Sequence, residues 1–401
     1  MIRISHTFFA TAFALATTVF LPQQPAEAKA FKVIYSFPAA TDGAAPHAGL
    51  IQDSAGNLYG TTFYGGNTSE GRGVAYKIAP GGAETVLHNF SGGTDGGLPA
   101  GLMRDSSGNL YGTTEQGGVD GGCNSQGCGI VYKIDTSGTQ TVLYTFSGFN
   151  DGAFPQAALI ADKKGNLYST TTGGGTTKNG TVFKLTAKGK EVVLHSFAGG
   201  SDGMSPIAGL IADKSGHMFG TTNLGGTGTG CGGFGCGTIY EIDAKGTETV
   251  LYSFTGGSDG GKPVGGLLMD KSGNLFGTTE FYGLNSGCGG TGCGTVFKLS
   301  SAGALTTLYT FTGGSDGGQP VASLASDSSG NLYGTTLFWG QGYGVIFALA
   351  PNGTENVLHS FTNGDDGAYP WGGLLMNKGY FISSGSGGGS RDFGNVFKVR
   401  K

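Results

Sequence analysis

Apolar and polar positions alternate in short runs along most of the chain, and no helical period intervenes between them. One set shows the pattern well: "AGLMRD", "NLYGTT", "GIVYKI" and "TVLYTF" between Ala100 and Phe146. Each run is rich in β-branched and aromatic residues, and Gly, Asp, Asn and Ser separate the runs. This spacing predicts four strands joined by tight turns. The first two runs are linked by Asp-x-x-Gly-Asn (Asp105 to Asn109), a hairpin turn with a glycine free to take positive φ.

The set recurs. "GNLYGTT" or a near copy starts at Gly56, Gly108, Gly165, Gly216, Gly273 and Gly330, and a worn version, "GYFISSG", starts at Gly379. Asp-Gly followed closely by Pro also occurs in seven places: Asp42/Pro46, Asp95/Pro99, Asp151/Pro155, Asp202/Pro206, Asp259/Pro263, Asp316/Pro320 and Asp366/Pro370. Units of four antiparallel strands repeating every ~50 residues are the mark of propeller blades. The prediction is all-β: a seven-bladed β-propeller forming one domain over residues 29–401, with repeats starting near 46, 99, 155, 206, 263, 320 and 370. The chain opens with an outer-type strand that lacks partners, "FKVIYSF" (31–37), and ends in "NVFKV" (395–399) with no successor. The first should complete the last blade and lock the ring.

The segment before the repeats reads differently. Arg3, an apolar run from Phe8 to Leu21 and "AEA" at 26–28 form a secretory signal, cut near Ala28. The run is too short to span a bilayer, and no later stretch approaches about 18 apolar residues. A soluble, exported protein, periplasmic or extracellular, is expected. Glycine is 82 of 401 residues, which alone would suggest disorder, but 26 Phe and 16 Tyr argue for a packed core. A net charge of −4 with scattered basic residues gives no footprint for nucleic acid.

The combination "SF.GG.DG..P..GL..D..GNLYGTT..GG...G.V.K" resembles the GloVer tandem-repeat family, a choice-of-anchor group of secreted bacterial repeat proteins, over essentially the whole mature chain. The resemblance implies an exported, often surface-anchored propeller without a settled biochemical activity. This sequence departs from the family in lacking the C-terminal anchor pattern, which leaves surface attachment open. The "D..GNLY" core is also similar to NHL-type and gluconolactonase-like propellers, which supports fold rather than function.

The six cysteines form three C-x4-C pairs, Cys123/Cys128, Cys231/Cys236 and Cys288/Cys293. Intervals between successive "GNLYGTT" copies are 52, 57, 51, 57, 57 and 49 residues, and the three long ones hold the pairs. Each pair therefore sits in an insertion of about six residues in blades two, four and five. In an oxidising compartment these read as local disulfides. No histidine lies near any pair, so tetrahedral zinc would be short of ligands, and no metal or cofactor is expected.

Blade order places the Asp-Gly-x-x-Pro loops and the inserted loops on one face, where a ligand is expected. Both tryptophans fall there. Candidate ligand-binding residues are Trp371, Trp339, Phe154, Tyr369, Gln156 and His47, whose aromatic and amide groups suit stacking on sugar rings or anchoring a protein. Candidates for catalysis are weaker. His47 lies near the expected channel mouth, and Glu115 and Glu280 occupy equivalent positions in blades two and five, across the channel from one another. The repeated aspartates read as turn caps, not a calcium ring. His88, His195 and His359 share one repeat position where Tyr144, Tyr252 and Tyr309 stand in other blades, so they read as structural. The sequence thus predicts a monomeric, non-catalytic binding module for an extracellular glycan or protein. A hydrolase or lyase, or a purely structural envelope protein, is the alternative.

Overall fold

A computed structural model describes residues 31–118, 121–283 and 287–401, so the predicted signal segment lies outside the described residues. Seven antiparallel sheets follow one another around a ring. Blade one comprises Ile51–Gln52, Leu58–Thr62, Val74–Ile78 and Glu84–Asn89, from inner to outer strand. The pattern repeats to blade seven, built from Leu375–Asn377, Tyr380–Gly385 and Asn395–Arg400. Its outer strand is the N-terminal segment Phe31–Ser36, which runs antiparallel to the C-terminal strand from Phe31 opposite Val399 to Ser36 opposite Asn395. The first strand thus closes the ring and covers an edge that would otherwise be unpaired.

The blades are held together by rings of aromatic side chains. The phenylalanine ending each outer strand (Phe37, Phe90, Phe146, Phe197, Phe254, Phe311 and Phe361) is fully buried. Each meets an aromatic ring on the third strand of the next blade at 5.0–5.2 Å between centroids, from Phe37 on Tyr76 round to Phe361 on Phe397. Six of these contacts are edge-to-face, the arrangement favoured by the ring quadrupole. The receiving ring explains a glycine of the repeat. A Cβ on Gly60 would lie 2.5 Å from the Tyr76 hydroxyl, and one on Gly277 2.6 Å from Phe297. Serine replaces this glycine only in blades three and seven, as Ser169 and Ser383, where the ring opposite is phenylalanine.

The inner strands differ from expectation. The run "AGLMRD" retains only Met103–Arg104 as its lower strand, with Gly97–Pro99 pairing higher on the same neighbour. In between, carbonyls of the inner segments turn away from the ladder and accept bonds from the preceding blade. The first threonine of "GTT" donates to them: Thr61 to Ala100, Thr113 to Ala157, Thr170 to Ala208 and Thr335 to Pro370, at 2.9–3.1 Å. Ser384 does the same for Pro46 in blade one. Thr221 and Thr278, which flank the inner segment of blade five on either side, have no such partner.

Candidate functional site

The loop leading into each inner strand contains a conformational surprise. The residue before each proline is Ala45, Leu98, Phe154, Ser205, Lys262, Gln319 or Tyr369, and all seven have φ between 51° and 58°. None is glycine, so each carries the steric cost of the left-handed region. Backbone bonding offsets it. Each N–H donates to a carbonyl of the preceding blade at 2.7–3.0 Å, the acceptors being Phe393, Arg72, Cys128, Asn179, Cys236, Cys293 and Tyr343. In six blades the residue's own carbonyl accepts from its own blade or pairs within it, as Phe63 N–H does to Ala45. The residue therefore clips two blades together.

This geometry sorts the candidates on either side of the proline. The residues after it are His47, Ala100, Gln156, Ile207, Val264, Val321 and Trp371, and all seven line one cavity of about 560 Å³ on the axis, to which every blade contributes. Three neighbouring blades, four to six, supply the aliphatic arc Ile207–Val264–Val321. The remaining arc holds the aromatic and polar groups Trp371, His47 and Gln156, interrupted by Ala100 of blade two, with Phe63 and Glu115 added from the ends of the second strands. His47 lies between two rings, 5.0 Å from Phe63 and 5.2 Å from Trp371.

Burial shifts both titratable groups of this arc toward their neutral forms. Burial pushes His47 down to about 4, so its imidazole is neutral at physiological pH. Burial pushes the Glu115 carboxyl upward, opposed by a hydrogen bond with Gln156. The wall therefore presents aromatic faces, a neutral imidazole, an amide and a carboxyl group against an aliphatic half.

His47, Glu115, Gln156 and Trp371 are thus brought together. The other candidates stand elsewhere. Glu280 is outside the cavity wall, pushed up to about 7 by burial and opposed by Lys262. Phe154 packs against the buried cluster of Phe146 and Phe183. Tyr369 meets Phe338 at 5.4 Å and Tyr343 at 5.8 Å, and Trp339 meets Phe338 at 5.9 Å. Phe154 and Tyr369 thus make contacts at blade junctions, while the Trp339 contact lies within blade six. Phe63 and the aliphatic arc were not singled out from sequence, although position after the proline marks the arc.

The disulfides take a different place from the one their loops suggest. All three pairs are bonded as expected, with Cα atoms 5.3 Å apart. Five of the six cysteines are buried in core clusters, and Cys288 is half-buried against one. Each sulfur pair packs over a glycine of the following Asp-Gly turn: a Cβ on Gly148, Gly256 or Gly313 would lie 2.2–2.8 Å from both sulfurs. The second cysteine is also the residue whose carbonyl accepts from the left-handed residue of the next blade, as in Cys236 with Lys262. They reinforce the junctions 2/3, 4/5 and 5/6.

The repeated aspartates cap turns. Asp316 accepts from the Thr312 N–H and hydroxyl and from the Tyr309 hydroxyl, and His88, His195 and His359 replace that tyrosine beside Asp95, Asp202 and Asp366. His195, Asp202 and Glu248 bring three ligating atoms within 4.8 Å of one another.

The sequence profile of the Gloeobacter/Verrucomicrobia repeat matches residues 17–229, 119–281 and 280–401. The chain belongs to this repeat family. Among solved structures it is similar to the extracellular domain of BT4673 from B. thetaiotaomicron, with a TM-score of 0.59 and 12% identity. That alignment covers 93% of this chain and 40% of the other, so the repeat chain spans well under half of its neighbour. It is also similar to the gluconolactonase XC5397 from Xanthomonas campestris at 15% identity and a TM-score of 0.43, covering 75% of this chain and 84% of that one. No curated protein matches the sequence. At 12% identity the likeness to the BT4673 domain speaks for the fold alone.

Proposed function

We propose that this propeller is an exported, non-catalytic binding module whose ligand is a neutral glycan seated at the axial cavity. The observation that carries this reading is the two-sided wall. Trp371 and Phe63 bring aromatic rings, with the His47 imidazole packed between them, beside the amide of Gln156 and the carboxyl of Glu115, opposite an aliphatic arc. Sugar rings present apolar C–H faces and hydroxyl edges, and this wall suits both. A cavity of about 560 Å³ falls within the usual range for small ligands. The neutral imidazole of His47 brings no positive charge to the cavity. Export is supported by the three disulfides, and no helix of the described residues is long and apolar enough to cross a membrane.

Fluorescence tests the reading. The chain has two tryptophans, so Trp339→Phe leaves Trp371 as sole reporter. Titration with neutral oligosaccharides is expected to shift or quench its emission saturably. Emission that stays constant across the panel contradicts the proposal.

A further inference from the structure

Blade seven departs from its siblings on the hairpin face, opposite the proline loops. Its hairpin is a two-residue turn, Lys378–Gly379, with φ of 48° and 80° and Asn377 paired to Tyr380. This is the tight form that matches strand twist. The other blades use the longer Asp-x-x-Gly-Asn turn, or its variant ending in His217, whose aspartate is negatively charged. Here Asn377 replaces that aspartate.

The shorter turn leaves a cavity of about 430 Å³ at the seam between blades seven and one. Three lysines line it: Lys32, Lys378 and Lys398. Among the described residues no acidic one does, although the chain as a whole is acidic. Among the described residues, no carboxylate forms an ion pair with any of the three. Lys398 lies over the Tyr380 ring at 4.9 Å, and Asn377 donates to Gln52 across the seam at 2.5 Å.

The pairing of Lys32 is the telling feature. It stands directly opposite Lys398 on the neighbouring antiparallel strand. Like charges directly opposite are destabilising. The equivalent pairs elsewhere avoid them: Thr85 faces Lys77, Thr141 faces Lys133, Val192 faces Lys184, Thr249 faces Glu241, Thr306 faces Lys298 and Asn356 faces Ala348. Among the described strand pairs of this kind, the seam is where two lysines stand opposite one another; the turn adds a third and lacks the hairpin's usual negative charge. Together these changes form a positively charged groove whose lysines have no carboxylate partner among the described residues.

We propose that this groove binds a phosphate-type oxyanion, with Lys32, Lys378 and Lys398 as its charge partners. Lysine is a common point-charge partner for phosphate. A bound anion would offset the repulsion between Lys32 and Lys398 and so tighten the strand pair that closes the ring. The site is independent of the axial cavity and of any glycan there.

The repeat supplies a control suited to the fold, because Lys32→Thr installs the residue found in four sibling blades. Thermal unfolding is measured in inorganic phosphate and in sodium chloride of matched ionic strength, with polyphosphate as a second arm. Wild-type Tm is expected to rise in phosphate by roughly 1–3 °C over the chloride control. Lys32→Thr is expected to melt at or above the wild type in chloride and to lose the phosphate increment, with phosphate affinity at least tenfold weaker by calorimetry. Lys378→Gln should lose the increment too. A stronger response to polyphosphate than to an equal concentration of phosphate units points to a polymeric anion in the same groove. Equal melting of the wild type in phosphate and chloride overturns the proposal, as does an undiminished phosphate response in Lys32→Thr.

Discussion

At the residue scale, several positions hold strain or an unmet polar group that a single substitution would release. The hydroxyls of Tyr76, Tyr132 and Tyr240 are buried without hydrogen-bond partners, while the same position is phenylalanine in the other four blades. Tyr240→Phe removes an unsatisfied group without opening a cavity, so it should be neutral or stabilising by up to about 1 kcal/mol. A clear loss in chemical denaturation would show that the hydroxyl is satisfied after all. Ser205 bears left-handed strain, and Ser205→Gly keeps its N–H bond to Asn179 and its carbonyl bond to Asn223. A gain of roughly 0.5–1 kcal/mol is expected, and a loss would mean that the serine side chain contributes more than its backbone conformation costs. The left-handed residue also explains why the candidate site was only half legible in the sequence. In an extended strand, the residues on either side of a proline share a face. The left-handed turn breaks that alternation. Trp371, Gln156 and His47 reach the axis, while Phe154 and Tyr369 go to the junctions.

At the element scale, the junctions between blades carry the chemistry that spacing alone did not reveal. The cysteine pairs were readable as local disulfides from the lengthened intervals, but their burial was not, because it depends on the Asp-Gly turn they cover. Replacing Cys231 and Cys236 together with alanine removes a short-loop staple and buried sulfur packing. The expected cost is roughly 2–4 kcal/mol, read from the denaturation midpoint, and an unchanged midpoint would show that the pair is idle. The outer strands of blades one, three, four and six begin with Glu84, Glu191, Glu248 and Glu355, each with one buried, unpartnered carboxyl oxygen. Burial, aided by Asp42, Asp151, Asp202 and Asp316 respectively, pushes each up to about 7 from an ordinary 4.5. The folded state therefore holds protons that the unfolded chain releases. This contribution is full below about 4.5 and lost as pH rises through about 7. His47, His88 and His359, pushed down by burial, run the other way below their ordinary 6.5. Comparison with a quadruple Glu→Gln variant cancels the histidines, and glutamine already stands at this position as Gln140 in blade two. Relative to the variant, wild-type stability should fall steadily between pH 4.5 and 7.5. A difference independent of pH would mean that these carboxyls ionise freely.

At the scale of the whole molecule, the repeat made blade number, strand order and closure readable, because each is fixed by counting motifs and noting which strand lacks a partner. The groove at the seam was not, since it arises from a turn shortened in only one blade and from a pairing between the two ends of the chain. Closure has its own test: deleting residues 31–37 removes the outer strand of blade seven and Phe37, which packs on Tyr76. Aggregation or a large fall in melting temperature is expected, and an equally stable soluble truncation would contradict the closed ring. The proposed role of the ring depends on the axial cavity. A glycan array probed with wild type, Trp371→Ala and Trp339→Ala tests it most directly. Wild type and Trp339→Ala should bind the same neutral glycans and Trp371→Ala should lose them. Wild type that binds no neutral glycan, or binding that survives Trp371→Ala undiminished, would contradict the account.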